Sequence, residues 1–260
     1  MIIDFHAHIY PSKIAEKASK NIGDFYHTAM KYNGSPECLL ESGRKIGVEY
    51  YIVHSTATAA HQVESINNYI VGECEKHPEF VGFGTILPQY EDFENELKRI
   101  KKAGLHGIKL HPDFQKYIVD IPEMDPIYDV IASLKMPVLF HAGDYRYDFS
   151  HPKRIAHVME KHPDLVVIAA HFGGYTQWKE SEEFLVGKNC YFDTSSSLWK
   201  LPVPDAMRII RNHGVGRILF GSDYPMWDHT DELQRFCQLP LSDEEREMIL
   251  YKNGLNLLGF

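Results

Sequence analysis

Several features that would define other classes of protein are scarce or absent in this sequence. Cysteine occurs only four times in 260 residues, and no two cysteines form a CxxC pair. We therefore expect reduced thiols rather than a disulfide framework or a zinc ribbon. No apolar run approaches the ~20 residues that cross a bilayer, and the first residues lack the basic segment of a signal peptide. A cytoplasmic location with no membrane partner is the default expectation.

Basic clusters are also missing. The formal net charge is -9, and no basic run or stripe is available to contact a phosphate backbone. We therefore expect no nucleic-acid partner. No GxGxxG follows the first apolar run, which argues against a dinucleotide-binding sheet. Hydrophobic residues make up 44% of the chain and charged residues 24%, the balance of an ordinary globular protein.

The sequence does contain a regular alternation of short apolar runs and amphipathic segments. Such runs are typical of parallel strands that are buried on both faces. About eight strand–helix units in a chain of this length predict an α/β protein, specifically a single (β/α)8 TIM barrel over residues 1–260. The runs are Ile2–Phe5, Tyr50–Val53, Phe80–Leu87, Gly107–Leu110, Pro137–Phe140, Leu165–Ala170, Cys190–Phe192 and Arg217–Phe220.

Helices are predicted between these runs, and glycines mark two of the stops. Gly104 and Gly214 lie where a helix is expected to end. The longest stretch between two strands, Pro11–Gly47, predicts an insertion after the first strand, with one or two helices and a loop over the site. The clearest amphipathic segments are Glu91–Ala103, Pro152–Lys161, Val203–Asn212 and Ser242–Leu258.

The chain has 15 histidines, and several of them end an apolar run. His6 and His8 share one face of the first strand, because alternate residues of a strand point the same way. His141 and His171 each follow a later run, and Asp223 stands at the corresponding place after the last one. Because all strand C-termini of such a barrel open onto one face, these side chains should meet there and could bind a divalent metal.

Three further residues are candidates for substrate binding. Lys109 and His111 end the fourth strand on one face, so Lys109 could bind a substrate carboxylate or, if carbamylated, bridge two metals. A structural salt bridge is an equal alternative for Lys109. His111 precedes a proline and is expected to line the pocket without touching metal. Arg146 lies close behind His141 and could meet substrate.

Other polar residues are assigned no role in the site. His54 and His61 are expected in solvated loops near the second strand. Asp113 and Asp193 end strands but are given a structural interpretation. The histidines in or beside the predicted helix Pro152–Lys161 are expected at the surface; they are His151, His157 and His162.

The motifs together resemble the amidohydrolase superfamily, specifically the amidohydrolase-related branch that includes aminocarboxymuconate-semialdehyde decarboxylase and related metal-dependent hydrolases. The matching segments span nearly the whole chain and occur in the family's order. They are DFHAH near the start, GIKLHP, VLFHAG, HPDLVVIAAHFGG and LFGSDYP.

The resemblance implies a metal-dependent enzyme with one divalent ion, Zn²⁺ being the first choice. It makes His6, His8, His141 and Asp223 the metal ligands, with His171 and Asp223 as catalytic acid/base groups. The KLHP variant at Lys109 implies a mononuclear site. The expected reaction is hydrolysis of an amide, lactone or ester of a small molecule; the alternatives are decarboxylation of a small carboxylated ring and a non-catalytic metal-binding barrel. The oligomeric state is left open, with a homodimer as one candidate.

Overall fold

Eight parallel strands form one sheet in the order in which they occur in the chain. The structure is a computed structural model, and it describes residues 1–259. The predicted α/β class and the (β/α)8 barrel are confirmed. The strands are β1 Ile2–His8, β2 Val48–His54, β3 Phe80–Gly84, β4 Gly107–Leu110, β5 Val138–Phe140, β6 Val167–Ala169, β7 Tyr191–Asp193 and β8 Ile218–Leu219.

Helices surround this sheet, and two of them occupy the insertion that follows β1. In the described residues no helix is long and apolar enough to cross a membrane. The helices are α1 Ala15–Tyr26, α2 Pro36–Arg44, α3 Val63–Lys76, α4 Phe93–Lys102, α5 Pro112–Gln115, α6 Asp125–Ser133, α7 Pro152–Lys161, α8 Trp178–Phe184, α9 Val203–His213, α10 His229–Cys237, α11 Asp243–Glu247 and α12 Asn253–Leu258.

The barrel is closed by the residues around and after β8. The backbone N–H of Phe5 donates to the carbonyl of Phe220 (2.8 Å), and that of His8 donates to Tyr224 (2.8 Å). The N–H of Asp223 donates back to the carbonyl of His6 (2.9 Å). This closure brings the first and last strands together, so residues more than 200 positions apart in the chain share one site.

Two apolar clusters show which face of each strand is inside. On β5, Val138 and Phe140 belong to the large cluster between strands and helices, whereas Leu139 belongs to a smaller second cluster. Because side chains alternate along a strand, His141 shares the face of Leu139. Lys109 likewise lies between Ile108 and Leu110, which both belong to the outer cluster. The polar residues of these strands therefore point into the barrel.

The C-terminal segment differs from the single predicted helix over Ser242–Leu258. A π-helical turn at Met248–Lys252 separates α11 from α12. The carbonyl of Ile249 accepts a hydrogen bond from the N–H of Phe220 (3.0 Å), directly after β8. A π-turn frees carbonyls from the regular helical pattern, so pairing with the barrel replaces a bond within the helix. The apolar period alone does not reveal this exchange.

Candidate metal centre

Two side chains of the first strand and one that follows the last strand meet at the C-terminal face of the barrel. The Nε2 atoms of His6 and His8 lie 3.3 Å apart, and Oδ1 of Asp223 lies 3.5 Å from each of them. Ligands bound at 2.0–2.1 Å around a tetrahedral ion are separated by about 3.4 Å. The three atoms therefore have the mutual spacing of ligands on one ion, and the donor set fits a divalent metal.

His6 is oriented by a buried carboxylate. Its Nδ1–H donates to Oδ2 of Asp193 (2.8 Å), which leaves Nε2 free to face His8 and Asp223. Oδ1 of Asp193 accepts from the N–H of His171 (3.0 Å) and from both the N–H (3.1 Å) and Oγ (2.5 Å) of Ser195. Burial acts to raise the pKa of Asp193, but the interactions with His6 and His171 together outweigh it and the pKa falls to about 2. Such carboxylate–histidine pairs hold metal-binding imidazoles in one tautomer.

His141 and His171 extend the cluster across β5 and β6. Nε2 of His171 lies 3.0 Å from Nδ1 of His141, and Nδ1 of His171 lies 3.0 Å from the carbonyl oxygen of Ser195. The ring of His171 stacks on that of His6 at 5.1 Å between centroids. Since the Ser195 carbonyl can only accept, the proton of His171 lies on Nδ1 and its Nε2 is an acceptor.

Burial keeps these imidazoles neutral. It lowers the pKa of His8 to about 4, an effect that a hydrogen bond to Asp223 opposes only in part. It lowers the pKa of His171 to about 4 and that of His141 well below the ordinary value. A neutral imidazole is the form that ligates a metal. The lowered pKa values and the distances between the ligand atoms therefore both favour metal binding.

Asp223 is held in an uncommon backbone conformation. Its φ is +58°, and His171 and Ser196 have φ values of +61° and +48°. Positive φ in residues other than glycine costs free energy and is found at functional sites. Oδ2 of Asp223 accepts a hydrogen bond from Oγ of Ser196, which leaves Oδ1 to face His6 and His8. Burial favours the protonated form of Asp223, but the histidines outweigh it and hold the pKa well below its usual range.

The three predicted substrate-binding residues have different surroundings. His111 lines the cavity, stacks on His141 (4.0 Å between centroids), and its Nε2 lies 2.9 Å from Oη of Tyr26. Lys109 is fully buried, with Nζ 3.2 Å from Nε2 of His6, and burial lowers its pKa to about 8. The Arg146 guanidinium donates to both carboxylate oxygens of Asp144 (2.9 and 2.6 Å). Neither Lys109 nor Arg146 lines the cavity, and their substrate roles stay predictions.

Two histidines expected in solvent are buried. His54 ends β2 and is fully enclosed, with its ring against that of His8 at 4.4 Å between centroids. His162 is buried between Asp125 and Asp129. The solvent-exposed interpretation of both is therefore wrong. A signal for His54 was present, because it ends an apolar run just as His141 does.

A cavity of about 510 Å³ opens above the cluster. His6, His8, His141, His171 and Asp223 all line it, so the structure brings together every predicted ligand and acid/base residue at one accessible site. Tyr26 also lines it, from the last turn of α1. The sequence suggests that the insertion covers the site but does not single out Tyr26.

Comparison with known proteins places this chain in a family. The family model described as "Amidohydrolase" matches residues 3–260. Among similar solved structures is a 5-carboxyvanillate decarboxylase from Sphingomonas paucimobilis (14% identity, TM-score 0.74, covering 100% of this chain and 99% of that one). A dihydroxybenzoic acid decarboxylase from a Polaromonas species, solved with manganese and 2-nitroresorcinol, has 17% identity and a TM-score of 0.77, over 99% of this chain and 96% of that one.

A third similar structure carries a hydrolase name. It is described as a probable 2-pyrone-4,6-dicarboxylic acid hydrolase from Acinetobacter baumannii, with citric acid bound. It has 18% identity and a TM-score of 0.73, over 100% of this chain and 99% of that one. At such identities the likeness establishes the fold alone, whereas the family model covers almost the whole sequence. The chain therefore belongs to the amidohydrolase family.

Proposed function

We propose that this protein is a metal-dependent hydrolase that cleaves the C–N or C–O bond beside the carbonyl of a small molecule. The observation that carries the proposal is the triangle of Nε2 of His6, Nε2 of His8 and Oδ1 of Asp223, with edges of 3.3–3.5 Å, at the floor of an open cavity. Ligand atoms that face a cavity leave room for substrate on the ion, as catalytic sites require.

The residues around the triangle have distinct roles in this proposal. A divalent ion bound there polarises a substrate carbonyl and lowers the pKa of water. His171 accepts and returns a proton at Nε2, because Nδ1–H is committed to the Ser195 carbonyl. Asp223 is the second candidate acceptor, since its low pKa keeps it ionised. Asp193 acts through His6, whose ring it orients.

The proposed cofactor is a single Zn²⁺ ion held by His6, His8, His141 and Asp223. Imidazole and carboxylate donors suit zinc, although other divalent ions accept the same set. A structural neighbour was solved with manganese, so metal content has to be measured. We expect about one equivalent of metal in purified wild-type protein and its loss in the His6→Ala/His8→Ala double variant.

His157→Ala is the matched control, because His157 lies on the outside of the barrel on α7 and pairs with Asp120. It should keep the metal content of the wild type. About two equivalents in the wild type would restore Lys109 as a bridging candidate. A folded wild-type protein that neither contains nor accepts a divalent ion would refute the proposal.

The reaction is tested with a panel of esters, lactones, amides and carboxylated aromatic compounds. Addition of water to the product indicates hydrolysis. Release of carbon dioxide would favour the alternative, decarboxylation, which is the activity named for two of the structural neighbours. His171→Asn should keep the metal and lower kcat by about 10²–10⁴-fold, the usual contribution of an acid/base group. An unchanged kcat would remove His171 from the mechanism.

A further inference from the structure

The cavity is bordered by no cationic side chain. Among residues 1–259, neither lysine nor arginine lines it. The two cations predicted to meet substrate have other partners: Lys109 is fully buried with Nζ 3.2 Å from Nε2 of His6, and Arg146 is bound to Asp144. The guanidinium of Arg146 also lies 4.3 Å from the ring centre of Phe25 and 5.1 Å from that of the cavity-lining Tyr26, but Arg146 does not line the cavity itself. The predicted Arg146 contact with substrate would require this ion pair to break.

One wall above the metal centre is largely apolar. Ile14, Ala18, Ile22 and Tyr26 recur every fourth residue and present one stripe of α1 and its preceding residue to the cavity. Ile66 of α3 lines it as well. An anion in the upper cavity would therefore meet the apolar stripe and have no lysine or arginine to pair with.

Neutral polar groups are available instead. Thr56 lines the cavity, and its Oγ1 is buried with no hydrogen-bond partner. A hydroxyl in that state can donate to a substrate oxygen or accept from a substrate N–H. The hydroxyl of Tyr69, which also lines the cavity, is buried without a partner in the same way. Such neutral groups satisfy an ester, lactone or amide, but they do not supply the opposite charge that a desolvated carboxylate needs.

We propose that the site selects uncharged, largely apolar substrates: a neutral ester, lactone or amide whose carbonyl reaches the metal centre and whose remainder fills the apolar wall. This inference rests on the proposed hydrolase function and narrows its substrate class. It separates this chain from the neighbours whose names specify carboxylated compounds. The cavity of about 510 Å³ accommodates a substituted ring or a medium-length acyl chain.

The test fixes one end of a probe on the metal and varies the charge at the other. 4-Methylbenzohydroxamate and 4-carboxybenzohydroxamate share a rigid ring and a metal-binding group, and they differ only in the para substituent. Calorimetry on zinc-loaded protein should give a Kd at least about 30-fold lower for the methyl compound, because the carboxylate would be desolvated without a partner. The same order is expected in metal-free protein, where both compounds bind more weakly.

A charge placed on the wall should reverse the preference. Ile22→Arg is expected to tighten binding of the carboxylated probe by about tenfold or more and to weaken binding of the methyl probe. Val166→Arg is the matched control, since Val166 is exposed and directly precedes β6, at the opposite end of the barrel from the cavity. It should leave both Kd values unchanged. If Ile22→Arg does not fold, as judged by circular dichroism, Ile66→Arg introduces the same charge from α3.

The inference and the proposed function fail separately. Equal or tighter binding of 4-carboxybenzohydroxamate to wild-type protein would overturn the inference, even if esters or lactones are hydrolysed. Absence of hydrolysis across the panel, with the methyl compound still preferred, would overturn the proposed reaction and leave the charge selectivity standing.

Discussion

Replacement of Asp193 by asparagine tests whether the buried carboxylate controls metal binding. Asp193 does not face the cavity, so its effect has to pass through His6. Asparagine keeps the size of the side chain, and its amide oxygen can still accept from the backbone N–H groups of His171 and Ser195. Its NH2 group cannot accept the Nδ1–H of His6. The imidazole then either keeps only Oγ of Ser195, 3.1 Å from Nδ1, as a partner, or moves its proton to Nε2, the atom that faces His8 and Asp223.

The expected magnitude follows from the role of such partners. Loss of a hydrogen bond that orients a metal-binding ligand typically costs 10–100-fold in metal affinity, which corresponds to about 1.4–2.7 kcal/mol. We expect the Kd of Asp193→Asn for zinc to rise by this factor, measured by competition with a chromogenic chelator. Circular dichroism and thermal unfolding of the metal-free protein show whether the barrel remains intact.

Asp129→Asn is the matched control for this measurement. Oδ1 of Asp129 accepts from Nδ1 of His162 at 2.8 Å, the same atom type and distance as in the Asp193–His6 pair. That pair lies outside the barrel, and the Asp129 side chain is 71% exposed. Zinc affinity should be unchanged in this variant. A folded Asp193→Asn protein that binds zinc as tightly as wild type would refute the orienting role of Asp193.

Three other predictions concern stability and are read by urea unfolding of metal-free protein. Gly143→Ala should lower the free energy of unfolding more than Gly47→Ala does. Both glycines have positive φ (+74° and +76°), but only at Gly143 would a Cβ meet another backbone segment, at 2.8 Å. Equal losses in the two variants would refute the importance of this close approach. Tyr26→Phe should cost about 1–3 kcal/mol, because the His111 Nε2 beside its hydroxyl loses its partner; an unchanged free energy of unfolding would contradict this. Burial lowers the pKa of His213 to about 4. The unfolded ring therefore protonates at a higher pH than the folded ring, so stability is lost as pH falls from 6.5 to about 4. His213→Gln should reduce that loss by about 2–3 kcal/mol, and the same pH dependence in the variant would refute the assignment.

The predictable part of the fold is the part that local sequence determines. β4 at Gly107–Leu110 and α7 at Pro152–Lys161 have the predicted bounds. In α7 the boundary is encoded locally, because Pro152 occupies the first turn and Nδ1 of His151 accepts the N–H of Lys153. The predicted strand Phe80–Leu87 instead ends at Gly84. The backbone N–H of the next residue, Thr85, donates to Oδ1 of Asn67 in α3 (2.8 Å) and not to a neighbouring strand. That competing partner is 18 positions away, beyond any local pattern.

The same division applies to the site. His6, His8, His141, His171 and Asp223 are predictable because each stands at or just beyond the end of an apolar run, and the barrel brings those ends together. The groups that orient them are not marked in this way. Asp193 pairs with His6 across 187 positions of chain, a contact that exists only because the barrel closes.

The direction in which a charged side chain points is the property that the sequence least determines, and here it changes the functional conclusion. Arg146 follows His141 closely in the sequence, and this proximity alone predicts a contact with substrate. In the fold, Asp144 accepts hydrogen bonds from Nε and Nη2 of Arg146, Nη1 donates to the carbonyl of Phe25, and the ring of Phe25 covers the planar face. Placing that charge in the cavity would require breaking this bidentate pair, the stronger kind of ion pair. The apolar stripe of α1 then contacts whatever is bound above the metal centre, which is the basis of our proposal that a neutral carbonyl compound is preferred to a carboxylated one.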